Sequence, residues 1–325
     1  MIFRTTLPVK KSSWNITHED FILSLGSCFA DCMSERLEQN QFKVSGNPFG
    51  IIYNPLSIVQ NLISSVSETL PDENLYAING KTYHYNFHSE IFGENKDDLS
   101  VKIETINKSI SKSLKSANYL IITLGTAFIY LLKKGDIPVA NCHKMPAQLF
   151  YKKMLSVEEI ILHFGKLLSF LTVDNPDAKI ILTVSPVRHI KDTLELNAVS
   201  KSVLKLASWQ LSEKYPDRIA YFPSCEIMMD DLRDYRFYKE DMIHPTKQAE
   251  NYIWEHFCET FFDKNTIEIN KEIAEIFFAL GHRPFHPDSV QHQEFLLKTM
   301  DKAKKLNDKV AVKSLLEKVA LKLGL

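Results

Sequence analysis

The amino-acid sequence predicts an α/β protein with a parallel sheet covered by helices on both faces, followed by a helical C-terminal extension. Two observations predict this class. Short runs that are apolar throughout alternate with longer segments of helical spacing, which is the pattern of strands buried on both faces of a parallel sheet. The pattern then changes after Asp263, where Lys-rich helical segments follow one another without an intervening strand.

Four apolar runs are predicted to be strands of the sheet. They span residues 21–25, 119–124, 180–184 and 219–222. The first three end in polar or turn-forming residues, at Gly26-Ser27-Cys28, Gly125-Thr126 and Ser185-Pro186. Ligands of α/β sheets bind beyond the carboxyl ends of the strands, so we expect a site where these three ends meet.

Six segments with helical spacing are predicted to cover the sheet. They span residues 28–37, 56–66, 105–116, 157–170, 194–211 and 249–262. Pro55 suits the first position of the second helix, because a backbone N–H at that position would have no hydrogen-bond partner within the helix. Residues 71–99 are aromatic and rich in turn residues, which predicts an insertion or lid rather than part of the sheet.

The predicted organisation is one domain over residues 1–263, with 71–99 as its insertion or lid, and a helical extension over 264–325. Each helix of the extension has one apolar face, which must be buried on the α/β body or on a second subunit. We expect its first part to pack near the rim of the site, where His282, Arg283 and Phe285 would shape the pocket. The alternative is a helical hairpin remote from the site.

Composition and charge exclude several classes of protein. The chain has 325 residues, enough for a large core, and 39 basic and 40 acidic residues give a formal charge of −1. This balance offers no electrostatic case for nucleic acid or a membrane as the partner. The N-terminus does not resemble a secretory signal, no apolar run could span a bilayer, and the five scattered cysteines form no C-x-x-C pair. We therefore expect a cytoplasmic protein with reduced thiols and no structural zinc.

The first strand end places a hydroxyl and a thiol, Ser27 and Cys28, at a strand-to-helix turn. A helix N-terminus stabilises negative charge and lowers the pKa of a thiol, so either side chain can be activated there. The backbone N–H groups of the turn can also hold an oxyanion. The structural alternative is that Ser27 caps the helix and Cys28 is a small buried side chain.

Asp241 and His244 lie three residues apart in a predicted loop before the helix at 249–262. At this spacing the carboxylate can accept a hydrogen bond from one imidazole nitrogen while the other nitrogen faces a nucleophile, and Pro245 stiffens the turn. The alternative is a surface aspartate beside a histidine that caps the helix. Together with the turn at Ser27, the pattern favours a nucleophile–His–Asp site.

Further polar residues are candidates for binding substrate. Arg188 and His189 follow the strand at 180–184 and can hold a substrate carboxylate or a sugar hydroxyl. The alternative for Arg188 is an ion pair with Asp192 or Glu195.

His143 and Lys144 can bind substrate or cap a loop. A metal site is suggested by three histidines in the extension, but no carboxylate or cysteine pattern accompanies them. We therefore expect neither a metal nor another cofactor. The histidines are His282, His286 and His292.

The order of these motifs resembles the SGNH/GDSL hydrolases, whose nucleophile follows the first strand and whose Asp and His come late as D-x-x-H. Residues 26–30 read Gly-Ser-Cys-Phe-Ala, the motif that names the GSCFA family, a bacterial branch of that superfamily. Further segments are similar to the same family, at residues 47–50, 54–55, 124–127, 141–144, 185–189 and 241–245. The resemblance runs from about residue 20 to 295 and implies a three-layer α/β/α flavodoxin-like SGNH hydrolase fold.

The glycine motif departs from the superfamily pattern at the nucleophile. Gly26-Ser27-Cys28 overlays Gly-Asp-Ser, which puts Cys28 at the nucleophile position. A shift of one residue would put Ser27 there, and serine is the usual nucleophile of the superfamily.

A second departure concerns the oxyanion hole. Gly125-Thr126-Ala127 overlays Gly-x-Asn, so the usual asparagine is absent. The resemblance implies that Asn54 or Asn141 supplies an amide instead, and that the glycine of the second superfamily motif is Gly50, or else Gly46.

The sequence therefore predicts a hydrolase of ester or acyl bonds in a carbohydrate or small acylated metabolite. Its Ser27 or Cys28 would be the nucleophile, His244 the base and Asp241 the residue that orients it. The alternatives are an acyltransferase that uses the same residues, and a catalytically silent binding protein.

Overall fold

The computed structural model describes residues 4–67, 74–282, 284–286 and 289–323. The chain forms two compact units. The first comprises Met1–Pro8, Phe21–Ser34 and Val44–Trp254, and the second Val9–Asp20, Glu35–Lys43 and Glu255–Leu325. The second unit thus contains N-terminal segments besides the predicted extension. The boundary after residue 263 stays a prediction, because compactness alone does not establish independent folding.

The strands and helices are numbered along the chain. The strands are β1 (Phe21–Gly26), β2 (Lys43–Gly46), β3 (Leu75–Ile78), β4 (Lys81–His84), β5 (Phe92–Gly93), β6 (Tyr119–Leu124), β7 (Phe128–Leu132), β8 (Ile137–Val139), β9 (Phe150–Met154), β10 (Lys179–Val184) and β11 (Ile219–Phe222). The helices are α1 (Cys28–Gln39), α2 (Pro55–Ser67), α3 (Lys96–Ser116), α4 (Val157–Asp174), α5 (Leu194–Lys214), the single turn α6 (Ser224–Glu226), α7 (Lys247–Phe261), α8 (Lys264–Gly281), α9 (Val290–Asn307) and α10 (Lys313–Leu323).

A five-stranded sheet in the order β2-β1-β6-β10-β11 confirms the predicted fold class. The pairs β1–β6, β6–β10 and β10–β11 are parallel. Counted within this sheet, the order is 2-1-3-4-5, the flavodoxin-like order, in which the direction of winding reverses between β1 and β6. Thr123 is the register partner of both Gly26 and Thr183, so the carboxyl ends of β1, β6 and β10 lie level with one another.

The strands are apolar throughout because side chains on both faces are buried. Leu25 and Ile122 point into the main core, where helices α2 to α5 contribute their apolar stripes. Side chains of opposite parity along the strands, such as Ile22, Ile121 and Ile181, are equally buried. This is the reason that the strands show no polar alternation in the sequence.

Two small antiparallel sheets flank the central one. Strands β3, β4 and β5 lie within the segment predicted as an insertion or lid, of which residues 71–73 lie outside the described residues. Helix α3 begins at Lys96, before its predicted start at residue 105, and so overlaps the end of the predicted segment. Asn95 begins this helix by accepting the N–H of Asp98 with its side-chain oxygen, at 2.9 Å. The second small sheet, of β7, β8 and β9, was not predicted, nor was the edge strand β2.

In the second unit, helices α8, α9 and α10 bury their apolar faces against one another. Ile273, Met300, Leu306 and Leu315 are among the side chains of this separate core. The predicted helical extension is therefore present, and its apolar faces have partners within the unit itself.

Candidate active site

A cavity of about 880 Å³ lies in the first unit, at the carboxyl ends of β1, β6 and β10. Nine of the predicted site residues line it: Cys28, Asn54, Thr126, Asn141, His143, Lys144, Arg188, His189 and His244. Four others do not appear among the lining residues in the described part of the chain: Ser27, Gly50, Gly125 and Asp241. The cavity adjoins the point between β1 and β6 where the direction of winding reverses, which is where flavodoxin-like folds bind their ligands.

Gly26 brings the chain from β1 into α1. Its φ is +135°, and a Cβ at this position would lie 2.1 Å from the carbonyl oxygen of Thr123 on β6, so only glycine fits. The N–H of Gly26 donates to Asn47 Oδ1 at 2.8 Å, which ties the turn to the following loop. As a result, α1 begins at Cys28, directly above the sheet.

The side chains of Ser27 and Cys28 are placed differently by this turn. Ser27 is 1% exposed, and its Oγ accepts the N–H of Phe29 at 3.4 Å, as in the predicted helix cap. Cys28 is half-buried and lines the cavity. The geometry therefore favours Cys28 over Ser27 as the residue that meets a ligand.

The thiol of Cys28 is not activated by its surroundings alone. Burial raises its pKa, and the nearby carboxylate of Asp31 raises it further. The backbone N–H groups at the start of α1 and the cation of Lys201 act in the opposite direction without overcoming burial. The resting side chain is thus a neutral thiol, and a base is needed to form the thiolate.

Asp241 and His244 form the pair that the sequence predicts. His244 Nδ1 lies 2.6 Å from Asp241 Oδ2, and Asp241 Oδ1 accepts the N–H groups of Ile243 and His244 at 2.9 and 3.0 Å. The N–H of His244, then its imidazole, and then the N–H of Ile243 hold the pKa of Asp241 well below its ordinary range. With Nδ1 engaged, Nε2 is the nitrogen left for proton transfer.

Backbone hydrogen bonds fix the loop that carries this pair. Lys239 donates to the carbonyl oxygen of His244 at 2.8 Å, and Tyr238 and Pro245 form an isolated antiparallel bridge. Arg188 donates its backbone N–H to Ile243 at 3.2 Å and so links the loop to the end of β10. His244 therefore lines the same cavity as Cys28.

Asn54 is the best-placed amide for an oxyanion. It is buried, and its Oδ1 accepts the N–H of Ser57 at 2.8 Å as the cap of α2. This bond fixes the orientation of the side chain and leaves the NH₂ group without an acceptor among the described residues, in a residue that lines the cavity. The other predicted asparagine, Asn141, accepts the N–H of His143 at 2.8 Å.

The backbone N–H groups of Gly50 and Gly125, which are candidates for holding an oxyanion, donate to carbonyl oxygens of the protein. Gly50 donates to Asn47 at 2.7 Å, while Gly125 and Thr126 both donate to the carbonyl oxygen of Tyr53, at 2.7 and 3.1 Å. An oxyanion role for the Gly50 or Gly125 amide stays a prediction that would require these bonds to open. The bonds from Gly125 and Thr126 hold the backbone of Tyr53, the residue before Asn54.

His143 and His189 are uncharged histidines of the cavity wall. Burial is the main cause that lowers the pKa of each to about 4. Both ring nitrogens of His143 and Nε2 of His189 are buried without a well-aligned hydrogen-bond partner among the described residues. Buried polar atoms of this kind are rare in folded proteins.

Comparison with known proteins gives the family. A family model described as the GSCFA family matches residues 21–257. The chain belongs to the GSCFA family. A second model, described as the C-terminal domain of GSCFA domain proteins, matches residues 273–323, which are mostly in the helices of the second unit. No curated protein matches the chain.

Lys201 is a residue of this GSCFA protein that the sequence analysis missed. It lies on α5, is only 6% exposed, and its Nζ donates to the carbonyl oxygens of Gly125 and Ser185, both at 2.8 Å. Burial lowers its pKa to about 8. The signal was present in the sequence, because Lys201 falls in line with the buried stripe that includes Leu204 and Leu211.

The structure also bears on the predictions made for metals and for the extension. Among the described residues, no group of three or more His, Cys, Asp or Glu side chains could hold a metal ion, and no helix has the length and apolar character to cross a bilayer. His282 and His286 line a cavity of the second unit with Phe285. Arg283 lies outside the described residues. The rim role of these residues stays a prediction.

Proposed function

We propose that this GSCFA protein is a hydrolase of ester or other acyl bonds with Cys28 as its nucleophile. The observation that carries the proposal is that Cys28 and His244 line one cavity while Asp241 holds the other nitrogen of His244. A thiol, a base and a carboxylate that orients the base are the parts of a nucleophilic acyl-transfer site.

In the proposed reaction, His244 Nε2 takes the proton of the Cys28 thiol as the sulfur attacks the acyl carbon. The tetrahedral oxyanion is stabilised by the NH₂ group of Asn54 and by the backbone N–H of Cys28 at the start of α1. The C–O bond to the leaving alcohol breaks, and the alcohol oxygen receives the proton from His244. Water, deprotonated by the same nitrogen, then hydrolyses the thioester and restores the thiol.

Membership of the SGNH/GDSL superfamily is part of this proposal. It is supported by the sheet order, by a candidate nucleophile that follows the first strand, and by the late D-x-x-H motif. We propose a carbohydrate or small acylated metabolite as substrate, by analogy with that superfamily. A cytoplasmic location is likewise proposed, on the basis of five free cysteines.

The test is an assay of purified protein on a panel of short-chain acyl esters and thioesters, with a sugar or glycerol present as a second acceptor. Hydrolysis in the wild type, lost in Cys28→Ala, would support the proposal. Transfer to the added hydroxyl in place of hydrolysis would favour the acyltransferase alternative. Equal rates in both proteins would contradict catalysis at Cys28, and no turnover of any ester would favour the binding-protein alternative.

A further inference from the structure

The cavity of the candidate active site carries an excess of positive charge. Four cationic side chains line it, Lys144, Lys152, Arg188 and Lys191, against one carboxylate, that of Asp192. Asp192 is already neutralised by an ion pair with Lys152. The chain as a whole has a formal charge of −1, so this excess is local to the cavity. A wall of one sign raises the local concentration of ligands of the opposite sign.

Arg188 is the cation best prepared to bind an anion. Its guanidinium carbon lies 3.9 Å from the ring centre of Tyr238 and 5.2 Å from that of Tyr235, within the range of cation–π contacts. These rings hold the guanidinium group, which also donates a hydrogen bond to the side chain of Tyr238. No carboxylate forms an ion pair with Arg188 in the part of the chain that the structure describes, and the alternative of a pair with Asp192 or Glu195 is not realised there.

Neutral hydrogen-bonding groups lie in the same cavity. The side chains of His143 and His189 line it, and burial lowers the pKa of each to about 4, which leaves them uncharged near neutral pH. Uncharged imidazoles offer one donor and one acceptor each, which suits hydroxyl or carbonyl groups. The positive charge available to a ligand therefore comes from Arg188 and the lysines and not from the histidines.

We propose that the ligand of this cavity carries an anionic group, a carboxylate or a phosphate, which the guanidinium group of Arg188 binds in the two-pronged manner that suits such oxyanions. Where that ligand is the acyl substrate, the inference rests on the proposed function and restricts it to acyl compounds that are negatively charged. The binding of the anion itself requires no turnover, so it can be tested separately.

The test compares two reagents that alkylate Cys28, iodoacetate, which is anionic, and iodoacetamide, which is neutral. Labelling of Cys28 is followed by mass spectrometry of the peptide. The rate with iodoacetate is divided by the rate with iodoacetamide, and this ratio is divided by the same ratio for glutathione, which corrects for the intrinsic reactivity of the two reagents. We expect this normalised ratio to be about tenfold in the wild type, since a charge-assisted hydrogen bond is of that strength, and to fall to about one in Arg188→Met. Arg188→Lys should keep part of the effect.

Arg236→Met is the matched control. Arg236 lies in the same segment as Tyr235 and Tyr238, but it is exposed and paired with Asp234. Its removal should leave the normalised ratio at the wild-type value. An equal loss in both arginine variants would mean a diffuse surface charge and would overturn the assignment to Arg188.

A second measurement separates the two anions and does not depend on thiol reactivity. Succinate and inorganic phosphate, each compared with sodium chloride at equal ionic strength, should raise the melting temperature of the wild type and not that of Arg188→Met. The anion that causes the larger rise identifies the preferred group. A normalised ratio near one together with no stabilisation by either anion would overturn the inference. Anion binding without ester turnover would instead retain it and contradict only the proposed hydrolase.

Discussion

Asp241 Oδ2 lies 2.6 Å from His244 Nδ1, while its other oxygen accepts the backbone N–H groups of Ile243 and of His244 itself. The carboxylate therefore does two things at once. Its bonds to the two backbone N–H groups close the turn that carries His244. Its contact with Nδ1 leaves Nε2 as the ring nitrogen that can meet another group. A sequence motif of four residues, D-x-x-H, is enough to build this arrangement because all of the bonds are local.

The first prediction follows from this pair. Asp241→Asn keeps an oxygen that can accept the two backbone N–H groups, so the protein should remain folded, but it no longer stabilises the protonated imidazole. We expect kcat/KM for ester hydrolysis to fall by about 10²- to 10⁴-fold with little change in Tm. Asp234→Asn is the control, since Asp234 also accepts a backbone N–H, from Arg236 at 2.9 Å, outside the cavity lining. Unchanged activity in Asp241→Asn would argue against the Asp–His pair.

The second prediction separates the two candidate nucleophiles. Cys28→Ser should lose most of the activity, because the hydroxyl is a weaker nucleophile in a site arranged for sulfur. Ser27→Ala should keep most of it and lose about 1 kcal/mol of stability with the helix cap. Cys142→Ser, a second free cysteine of the cavity wall, serves as the control and should keep its activity. The reverse result for Ser27 and Cys28 would move the role to the serine.

The third prediction concerns the amide of Asn54. Asn54→Ser and Asn54→Asp both keep an oxygen that can cap α2, and both remove the NH₂ group. We expect kcat to fall by about 10²- to 10³-fold in each, the usual effect of losing one oxyanion donor, while the unfolding transition stays close to that of the wild type. Asn141→Asp tests the other predicted amide in the same assay. Should Asn141→Asp cause the larger loss, the oxyanion donor would be Asn141.

The fourth prediction uses the buried cation. Burial lowers the pKa of Lys201 from 10.5 to about 8, so between these pH values the unfolded chain binds the proton more strongly than the folded protein does. The contribution of Lys201 to stability therefore rises with pH across this window, by of order 3 kcal/mol. The free energy of unfolding of the wild type should thus increase relative to Lys201→Met between about pH 8 and pH 10.5.

Two further observations make this test specific. Lys214→Met, at the exposed end of the same helix, should show no such rise. Lys201→Met should also slow the alkylation of Cys28, because the cation of Lys201 opposes the raised pKa of that thiol. A constant difference between wild type and Lys201→Met at every pH would mean that Lys201 acts only through its bonds to the two carbonyl oxygens.

The sequence predicts those parts of the site that local chemistry determines. The helix cap at Ser27 and the D-x-x-H motif are readable because each contains its own hydrogen-bonding partners within a few residues. Apolar runs likewise predict the strands β1, β6, β10 and β11, because a strand that is buried on both faces has apolar residues at successive positions.

Other parts of the site depend on contacts distant in the chain and are not readable in the same way. The position of Lys201 in the buried stripe of its helix is readable, but its contact with Gly125, 76 residues away, is not, because a lysine on a helix is ordinarily a solvent-exposed side chain. Strands β7 to β9 are short and half-exposed, so their pairing, rather than their composition, defines them. The hydrogen bonds of the glycine amides are not readable for the same reason, because Tyr53 and Asn47 are acceptors that only the folded loops provide.

The central claim is that Cys28 accepts an acyl group, and the most direct test is to trap that group. Wild-type protein would be mixed with an activated short-chain acyl ester, quenched in acid within seconds, and analysed by intact mass and peptide mapping. We predict one acyl group per chain, on Cys28, removed by hydroxylamine near neutral pH as a thioester is, and absent from Cys28→Ala and strongly reduced in His244→Ala. An acyl group on Ser27, or equal labelling of Cys28 with and without His244, would contradict the account.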